Sequence, residues 1–408
     1  MKIAILTQYY PPETGAPQAR LSDLARRLVE RGHDVSVITA MPNYPVGRIF
    51  DEWRGRPVAR EVRDGVVVLR SWMFAYKGPS VLRQLLSYFS FLLSSIITAP
   101  FRLRRADILL WESPPLFLSI AAFILARRLR AKLVMNVSDL WPRSAIEMKV
   151  IRHPGLIKFF QRWEASAYRK ADLISYQTEG IGADIRAIVP AKRTHLLPNG
   201  VDLSMLQPSN GRGTERTQLA ASESSIVVGY AGNFGRGQAV SQIVDAAGLL
   251  VGQEELIWLL VGDGPLKDDL KVTVERMGLP AVHIGDAVSR DEIPQLLDSF
   301  DLAIVPLADL PVLNGARPSK MFELMARGIP FIFCGRGEGA ELAIEAGAVA
   351  VVPPENPAAL ADAIREFARL PLERRRGSGE RGKRFVAERF DRAKIAAEFE
   401  DVLKSVVS

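Results

Sequence analysis

Apolar and polar residues follow two different spacings in turn along the first forty positions. A short apolar run, IAIL, occupies residues 3–6, and a second one, DVSVITA, occupies 34–40. Runs of this length are typical of strands buried on both faces of a sheet. Between them, after a loop with Gly15, lies a segment opened by Pro17 with the i, i+3, i+4, i+7 spacing of an amphipathic helix. Its apolar residues are Leu21, Leu24, Ala25 and Leu28. The pattern predicts a β-α-β unit.

The same order of elements returns near residue 226. SIVVGYAG (225–232) predicts a strand, NFGRG (233–237) a loop and LIWLLVG (256–262) the next strand. The intervening helix carries its apolar face at Val240, Ile243, Val244 and Ala247. Further strands are predicted at 281–285, 302–307, 330–334 and 348–353. Such alternation favours parallel sheets covered by helices on both faces, so the fold class is α/β with two tandem Rossmann-like, doubly wound domains.

The length of the chain agrees with two domains, because 408 residues exceed what one hydrophobic core usually serves. We expect the boundary near LLPNGVDLSMLQP (196–208), with the polar stretch 209–218 as a linker. In doubly wound sheets ligands bind at the carboxyl ends of the strands, so the expected site is a cleft between the domains. The glycine loops at 15 and 232–237 lack both the dinucleotide fingerprint and the P-loop lysine, which disfavours dehydrogenases and P-loop enzymes.

Composition narrows the class of partner. The single cysteine, Cys334, excludes an intrachain disulfide, and the four histidines are scattered, so we expect neither a zinc site nor an oxidising compartment. The start, MKIAILTQYY, is interpreted as a first strand and not as a signal peptide, which predicts a cytoplasmic protein. A net charge of +7 predicts an anionic partner, either a nucleotide or a membrane surface. Nucleic acid is disfavoured because no recognition motif accompanies the basic residues.

A helix predicted at 319–327 has an unusual charge at its start. Pro318 suits the first helical position and Gly328 a stop signal, yet Lys320 lies in the first turn, where the backbone amides are already positive. A lysine there is best tolerated when an anion binds beside it. Glu323 lies on the same side of the helix, and the alternative is a surface pair contributing about 0.2–0.5 kcal/mol.

Several longer motifs resemble glycosyltransferase family 4, in the order seen in that family. They are YYPPETGAPQARLSDLARRLVERGHDVSVIT, VSDLWP, LLPNGVD, VGDGP, HIGDAVSRDEIPQLLDSFDLAIVPL and PSKMFELMARGIPFI. The resemblance covers nearly the whole chain and is nearest to the WbuB-like branch of bacterial surface-polysaccharide enzymes. It implies a GT-B fold with domains 1–198 and 199–385, and a final helix at 386–408 that packs back on the first domain. It also implies a retaining enzyme that needs no metal or other cofactor.

The resemblance further implies a donor site for a nucleotide sugar, which we expect to be a UDP-sugar. The start of the 319–327 helix would face the diphosphate, and Glu323 would accept hydrogen bonds from both ribose hydroxyls. Departures from the family pattern are Gly315, Asn233 and Gln238, where relatives usually carry a glutamate, an arginine and a lysine. Lys320 would then supply the phosphate charge, helped by Arg236 and Arg317. The other implied donor contacts are Gly15, Ala16, Gly262, Gly264, Ala287, Ala316, Pro318 and Ser319.

The implied chemistry is a front-face transfer in which the leaving diphosphate helps to deprotonate the acceptor hydroxyl. Lys320 and the helix amides would stabilise the leaving group, since no Asp-x-Asp triplet occurs in the chain. Asp139, in SDLWP, matches a position near the sugar and the acceptor, so we count it with Lys320 as a catalytic candidate. An N-cap role for Asp139 before Pro142 is an equal alternative.

The charge-free stretch 84–101, QLLSYFSFLLSSIITAPF, is interpreted as an amphipathic helix and not as a transmembrane span. We expect a polar stripe of Ser87, Ser90, Ser94 and Thr98 with Arg83, and an apolar face for burial comprising Leu85, Leu86, Phe89, Leu93, Ile96 and Ile97. Its basic end, with Arg102, Arg104, Arg105 and Lys77, is expected to rest on anionic lipid of the inner leaflet. The resemblance then implies a polyprenyl-diphosphate-linked acceptor in O-antigen, capsule or exopolysaccharide synthesis, and an enzyme held peripherally at the cell membrane.

Two other functions remain open at this stage. An epimerase of UDP-N-acetylhexosamines shares the GT-B fold, but it needs no lipid-facing domain. A non-catalytic nucleotide-sugar-binding partner is consistent with Gly315, Asn233 and Gln238. Product analysis with and without a lipid acceptor separates all three.

Overall fold

The structure, a computed structural model, describes residues 1–13, 15–44, 46–78, 80–206, 216, 219, 221–222, 224–289 and 291–408, without the side chains of residues 16, 81 and 376. The chain divides into two compact units, one comprising residues 1–198 and 392–408 and the other residues 199–391. The predicted linker at 209–218 lies outside the described residues except for Arg216.

The first unit is built on an eight-stranded sheet. Its strands are β1 Lys2–Leu6, β2 Asp34–Ala40, β3 Val58–Arg63, β4 Val66–Ser71, β5 Ile108–Ser113, β6 Lys132–Val137, β7 Leu173–Tyr176 and β8 Thr194–Leu196. Its helices are α1 Ala16–Glu30, α2 Val81–Arg102, α3 Leu118–Leu129, α4 Arg143–Glu147, α5 Pro154–Lys170 and α6 Glu179–Ile188. The strand order is β3-β4-β2-β1-β5-β6-β7-β8, and every pair is parallel except β3 with β4.

The second unit repeats the design on six parallel strands. They are β9 Ile226–Ala231, β10 Leu256–Val261, β11 Val282–Gly285, β12 Leu302–Pro306, β13 Phe331–Cys334 and β14 Ala350–Val352. The helices are α7 Ser241–Leu249, α8 Lys267–Met277, α9 Ile293–Asp298, α10 Ser319–Arg327, α11 Glu338–Ala346, α12 Pro357–Ala368, α13 Leu372–Gly377 and α14 Glu380–Arg389. The order β11-β10-β9-β12-β13-β14 and apolar clusters on both faces of the sheet give a doubly wound fold, which confirms the predicted fold class.

The chain ends in two helices where one was predicted. The first is α14; the second, α15, spans Arg392–Val407 and belongs to the first unit. Phe390, just after α14, packs against Phe322 with ring centroids 4.9 Å apart, inside the second unit. Phe399 of α15 is buried in the core of the first unit. The boundary between the units therefore falls after residue 391, and not after residue 385 as the sequence suggested.

Helix α2 is turned opposite to the prediction. Its serines face inward: Ser87 and Ser95 are buried, and the Ser90 hydroxyl accepts a hydrogen bond from the backbone amide of Phe74 at 2.8 Å. The apolar residues predicted to be buried include four that are exposed, namely Leu86, Phe89, Leu93 and Ile97. The hydroxyl groups can lie on this inward face, beside buried Phe91 and Leu92, because the end of β4 and the segment after it supply their hydrogen-bond partners. Among the described helices, α2 is the one that length and composition would allow to cross a membrane, over Leu82–Arg102.

Candidate functional site

In the second unit the candidate residues gather where the strand order reverses. Strand β9 lies between β10 and β12, so the chain leaves the sheet in opposite directions after these neighbouring strands. Ligands bind at such a switch point in doubly wound sheets, beyond the carboxyl ends of the strands. The loop with Asn233 and Arg236 follows β9, and α10 with Lys320 follows β12 after a short 3-10 turn.

Two glycine loops meet at the carboxyl ends of β9 and β10. The amide of Gly232 donates to the carbonyl of Val261 at 2.9 Å. A Cβ on Gly262 would lie 1.8 Å from the Gly232 carbonyl oxygen, so no side chain fits there. A Cβ on Gly264 would lie 2.4 Å from Oδ1 of Asn233. The structure thus brings together Asn233, Gly262 and Gly264, three of the predicted donor-site residues.

Lys320 crosses from α10 to the loop after β9. The helix begins at Ser319 with Pro318 as its N-cap, so the proline stands one position earlier than predicted. The Lys320 ammonium donates to the amide oxygen of Gln238 at 3.0 Å and lies 4.1 Å from the ring centroid of Tyr230. The Tyr230 hydroxyl in turn donates to the backbone carbonyl of Asn233 at 2.7 Å. These contacts hold the lysine over the loop.

The Lys320 side chain can gain or lose a proton near neutral pH. Burial lowers the pKa of Lys320 to about 7, although the nearby carboxylate of Glu323 opposes this shift. Burial disfavours the charged form of a lysine, and an anion that binds nearby favours it. The side chain can therefore take up a proton as an anionic ligand binds.

The two predicted helper arginines differ in availability. Arg317 forms an ion pair with Glu338 at 2.7 Å, so its charge is already partly compensated. Arg236 is exposed in a 3-10 turn and has no ion pair among the described residues. Ala316 lies between the 3-10 turn and α10, and Ala287 is exposed beyond the carboxyl end of β11. Arg236 is thus the better placed of the two arginines to meet a ligand.

In the first unit, Gly15 lies at the start of α1, and a buried polar network lies nearby at the sheet edge. Gly15 is the N-cap of α1, which begins at Ala16. Arg20 of α1 forms an ion pair with Glu112 at the end of β5. The Glu112 carboxylate also accepts from Asn136 Nδ2 at 2.6 Å and from Ser138 Oγ at 2.7 Å. Glu112 therefore connects α1 with the loop after β6, in which Asp139 directly follows Ser138.

Asp139 remains open to solvent, but the surrounding chain desolvates its carboxyl group. This desolvation raises the pKa of Asp139, while hydrogen bonds from the Ser144 side chain and the Leu140 amide act in the opposite direction. The N-cap of α4 is Pro142, so Asp139 does not occupy the N-cap position. A carboxyl group held beside solvent in this way can contact a hydroxyl of a substrate.

Glu13 organises the loop before α1. Its buried carboxylate accepts from the backbone amides of Tyr10 at 3.1 Å, Asn43 at 2.8 Å and Tyr44 at 2.8 Å. Burial raises the pKa of Glu13 to about 7, and the three amide hydrogen bonds oppose the rise. The side chain thereby joins the loops that follow β1 and β2.

The predicted basic contacts lie at opposite ends of α2. Arg83 is in its first turn and stacks over the Tyr76 ring at 5.7 Å, with exposed Lys77 nearby in sequence. Arg102 closes the helix, and Arg104 and Arg105 follow it, all exposed. At 1.5 Å per residue the two groups are about 29 Å apart. They do not form one cluster.

Sequence reasoning missed four residues at these sites: Tyr230, Gln238 as a partner of Lys320, Glu112 and Glu13. A carboxylate within the apolar strand ILLWES was the available signal for Glu112. No local signal pairs Lys320 with a residue 82 positions away. In the part of the chain that the structure describes, no three His, Cys, Asp or Glu side chains converge as metal ligands would.

Comparisons with known proteins place both units. Residues 15–200 match the glycosyl transferase 4-like domain, and residues 225–369 match the glycosyl transferases group 1 domain. WcaI of Escherichia coli K12, named as a candidate glycosyl transferase of colanic acid biosynthesis, is 26% identical over 91% of this chain and 93% of its own.

Solved structures show the same fold. Sucrose-phosphate synthase from Thermosynechococcus elongatus superposes with a TM-score of 0.78 at 18% identity, over 99% of this chain and 98% of its own. Anabaena HepE, solved in complex with UDP-glucose, gives a TM-score of 0.73 at 18% identity, over 99% and 100% of the two chains.

Proposed function

We propose that this chain, a glycosyltransferase that joins a 4-like domain to a group 1 domain, transfers a sugar from a UDP-sugar to a lipid-linked saccharide of a surface polysaccharide. The similarity to WcaI supports the polysaccharide assignment, and the UDP-glucose complex of HepE supports the donor class. The sugar we expect is an N-acetylated or deoxy hexose, as in the WbuB-like branch.

The position of Lys320 is the observation that carries the proposal. Its ammonium lies at the start of α10, beside the carboxyl end of β9 and above the Gly232 loop. A helix N-terminus and a cation at a switch point together form a site for a diphosphate. Glu323, one turn further, offers two carboxylate oxygens to a ribose diol.

The proposed reaction is retaining and needs no metal. The acceptor oxygen forms its bond to the anomeric carbon on the face from which the diphosphate departs, and the departing phosphate oxygen takes the hydroxyl proton. Lys320 and the α10 amides stabilise the negative charge that develops on the leaving group. Asp139 of the first unit orients or polarises the acceptor hydroxyl.

The acceptor we propose is a saccharide on polyprenyl diphosphate, which keeps the enzyme peripherally at the inner face of the cell membrane. The basic residues of this contact are Lys77, Arg83, Arg102, Arg104 and Arg105. Such a lipid-linked substrate cannot leave the bilayer, so its enzyme must work at the membrane surface.

A panel of nucleotides and nucleotide sugars, scored by thermal shift, tests the donor site. A ligand at a hundred times its dissociation constant stabilises by about 2.7 kcal/mol. We expect UDP and one UDP-sugar to stabilise the protein, and Lys320→Ala to lose the effect.

Product analysis then tests the reaction, with that UDP-sugar incubated with and without a lipid-linked acceptor. Glycosylated lipid supports the transferase, an epimerised sugar without acceptor indicates an epimerase, and binding without any product indicates a non-catalytic partner.

A further inference from the structure

We propose that the outward apolar face of α2 inserts into the surface of a bilayer containing anionic lipid, with the helix lying parallel to the membrane. This inference deepens the proposed lipid contact by assigning the inserted residues and their orientation. It does not depend on which sugar is transferred.

Six large apolar side chains form a single exposed stripe on α2. They are Leu82, Leu86, Phe89, Leu93, Ile97 and Phe101. Successive members are three or four residues apart, so they lie on one side of the helix. Leu82 is 77% exposed, Leu93 58% and Phe101 84%. A contiguous apolar surface of this length on a folded chain indicates a docking surface.

The opposite side of α2 is fixed to the protein and cannot face lipid. Ser90 accepts from the amide of Phe74, just after β4, at 2.8 Å, and the Thr98 hydroxyl lies 2.6 Å from the hydroxyl of Ser71, the last residue of β4. The hydroxyl of Ser94 donates to the carbonyl of Trp72. A helix held to its sheet in this way cannot be surrounded by acyl chains, although its length would allow it to span. Interfacial binding, with one face inserted, is the arrangement that remains.

The charges beside the stripe specify the occupant. No aspartate or glutamate occurs between residues 65 and 106, while Lys77 and Arg83 precede the stripe and Arg102, Arg104 and Arg105 end it. Cations at both ends of an apolar helix face match the headgroups of an anionic bilayer. A second copy of the chain would instead bring identical cations near one another.

Aromatic contacts link the stripe to α5. Phe89 contacts Phe117 with centroids 5.3 Å apart, and Phe117 contacts Phe160 at 6.0 Å. Phe160 contacts Phe159 at 5.3 Å, and Phe159 is 54% exposed. Phe159 is thus an exposed ring on α5 that is linked to the α2 stripe through buried Phe117.

A single fluorescent label tests the insertion directly. Cys334 is the only cysteine and is fully buried, so an introduced cysteine is the reactive one. Leu93→Cys carries an environment-sensitive dye on the stripe, and Val251→Cys carries it at an exposed position of the second unit. We expect vesicles of phosphatidylcholine with phosphatidylglycerol to shift the emission of the Leu93 label to the blue and to leave the Val251 label unchanged. Equal shifts, or none at Leu93, would overturn the proposal.

Vesicle flotation measures the energetic role of the stripe. We expect Leu86→Ser, Leu93→Ser and Ile97→Ser together to weaken binding at least tenfold, and the matched control Leu249→Ser, Val251→Ser and Val272→Ser, at exposed positions of the second unit, to change it less than twofold. Neutralising Arg104 should weaken binding to anionic vesicles about fivefold. A chain that is dimeric in solution and becomes monomeric in the triple variant would show that a second copy covers the stripe. The UDP thermal shift, measured on the same variants, stays intact if only the membrane inference fails.

Discussion

The Lys320 ammonium donates a hydrogen bond to the amide oxygen of Gln238 across 3.0 Å, joining α10 to the loop after β9. The resemblance to family 4 leads one to expect a lysine at position 238. In this chain the cation of the site therefore comes from Lys320 on α10 and not from the loop after β9. The amide of Gln238 occupies the position of the usual lysine. Because Lys320 and Gln238 contact each other, exchanging the two side chains tests whether the cation can be supplied from either position.

We expect the exchange variant Lys320→Gln with Gln238→Lys to bind UDP within about fivefold of the unchanged protein. Lys320→Gln alone should lose about 10- to 100-fold, because a charged hydrogen bond to phosphate contributes about 1.5–3 kcal/mol. Calorimetric titration with UDP measures all three. Arg276→Met, an exposed cation removed from α8, is the control for net charge. Equal losses in the single and double variants would show that the position of the cation matters and not merely its presence in the site.

The affinity for UDP should depend on pH above neutrality. Burial lowers the pKa of Lys320 to about 7, so above pH 7 the free protein has a neutral amine and must take up a proton to bind a diphosphate. The dissociation constant should then rise by up to about tenfold per pH unit between pH 7 and 9. The ligand phosphate itself titrates near pH 6, outside this window.

Lys320→Met separates the lysine from other titrating groups. Its UDP affinity should be weak and nearly constant from pH 7 to 9. Calorimetry in two buffers of different ionisation enthalpy should show proton uptake by the unchanged protein alone. Proton uptake of the same size in Lys320→Met would assign the titration to another group.

Glu323 should affect nucleotides and not inorganic diphosphate. We expect Glu323→Gln to weaken UDP about tenfold, because one acceptor oxygen for the ribose diol is replaced by a donor. Pyrophosphate binding should change less than twofold when measured well below pH 7, because removal of the Glu323 carboxylate lowers the pKa of Lys320 further and Lys320 must be protonated in both proteins. Glu341→Gln on the exposed side of α11 is the matched control. A parallel loss of both ligands would mean that Glu323 acts through Lys320.

The sequence predicted β1, β2 and the six strands of the second sheet, because most of these segments are short apolar runs, whereas β3 (VAREVR) is largely polar and was not predicted. Runs such as LIWLLV permit one burial pattern, and the glycines after β9 and β10 mark the strand ends where backbone must approach backbone. The same runs located the carboxyl edge at which Lys320 and Asn233 lie. Pro318, interpreted as the first helical position, predicted the start of α10 to within one residue, since it is the N-cap.

The orientation of α2 could not be predicted from its periodicity. A stripe of serines has the same spacing in the sequence whether its hydroxyl groups form hydrogen bonds with water or with the protein. Here the backbone around Trp72 and Phe74 supplies the partners, and these residues carry no sequence mark of that role. The pairing of Lys320 with Gln238 is likewise a tertiary contact, which no local pattern encodes.

Asp139 should affect turnover and leave donor binding unchanged. Asp139→Asn keeps an acceptor oxygen for Ser144 and for the Leu140 amide, so thermal stability should hold. We expect the turnover number to fall about 100-fold, the loss typical when a reacting group is no longer held in position. Initial rates with saturating donor and lipid acceptor, together with UDP titration, give both quantities. A fall in stability matching the fall in activity would assign Asp139 to the structure of the loop.

Glu13 should stabilise the first unit through the loops after β1 and β2. In Glu13→Gln an NH2 group, which is a donor, replaces one of the two carboxylate oxygens. The lost oxygen is either the acceptor for the Tyr10 amide or the shared acceptor for the Asn43 and Tyr44 amides. Leaving buried amides unpaired should lower the free energy of unfolding by about 1–3 kcal/mol, measured in urea. Asp51→Asn, at an exposed position, is the control.

The same substitution should alter the pH dependence of stability. The pKa of Glu13 rises from 4.5 to about 7 on folding, so between these values the folded chain binds more protons than the unfolded one. The contribution of Glu13 to the free energy of unfolding therefore falls as pH rises from 4.5 to 7 and is level above 7. Subtracting the Glu13→Gln profile from that of the unchanged protein should isolate this slope. A difference profile that is level over the interval would mean that the amide hydrogen bonds outweigh burial and hold Glu13 as a carboxylate throughout.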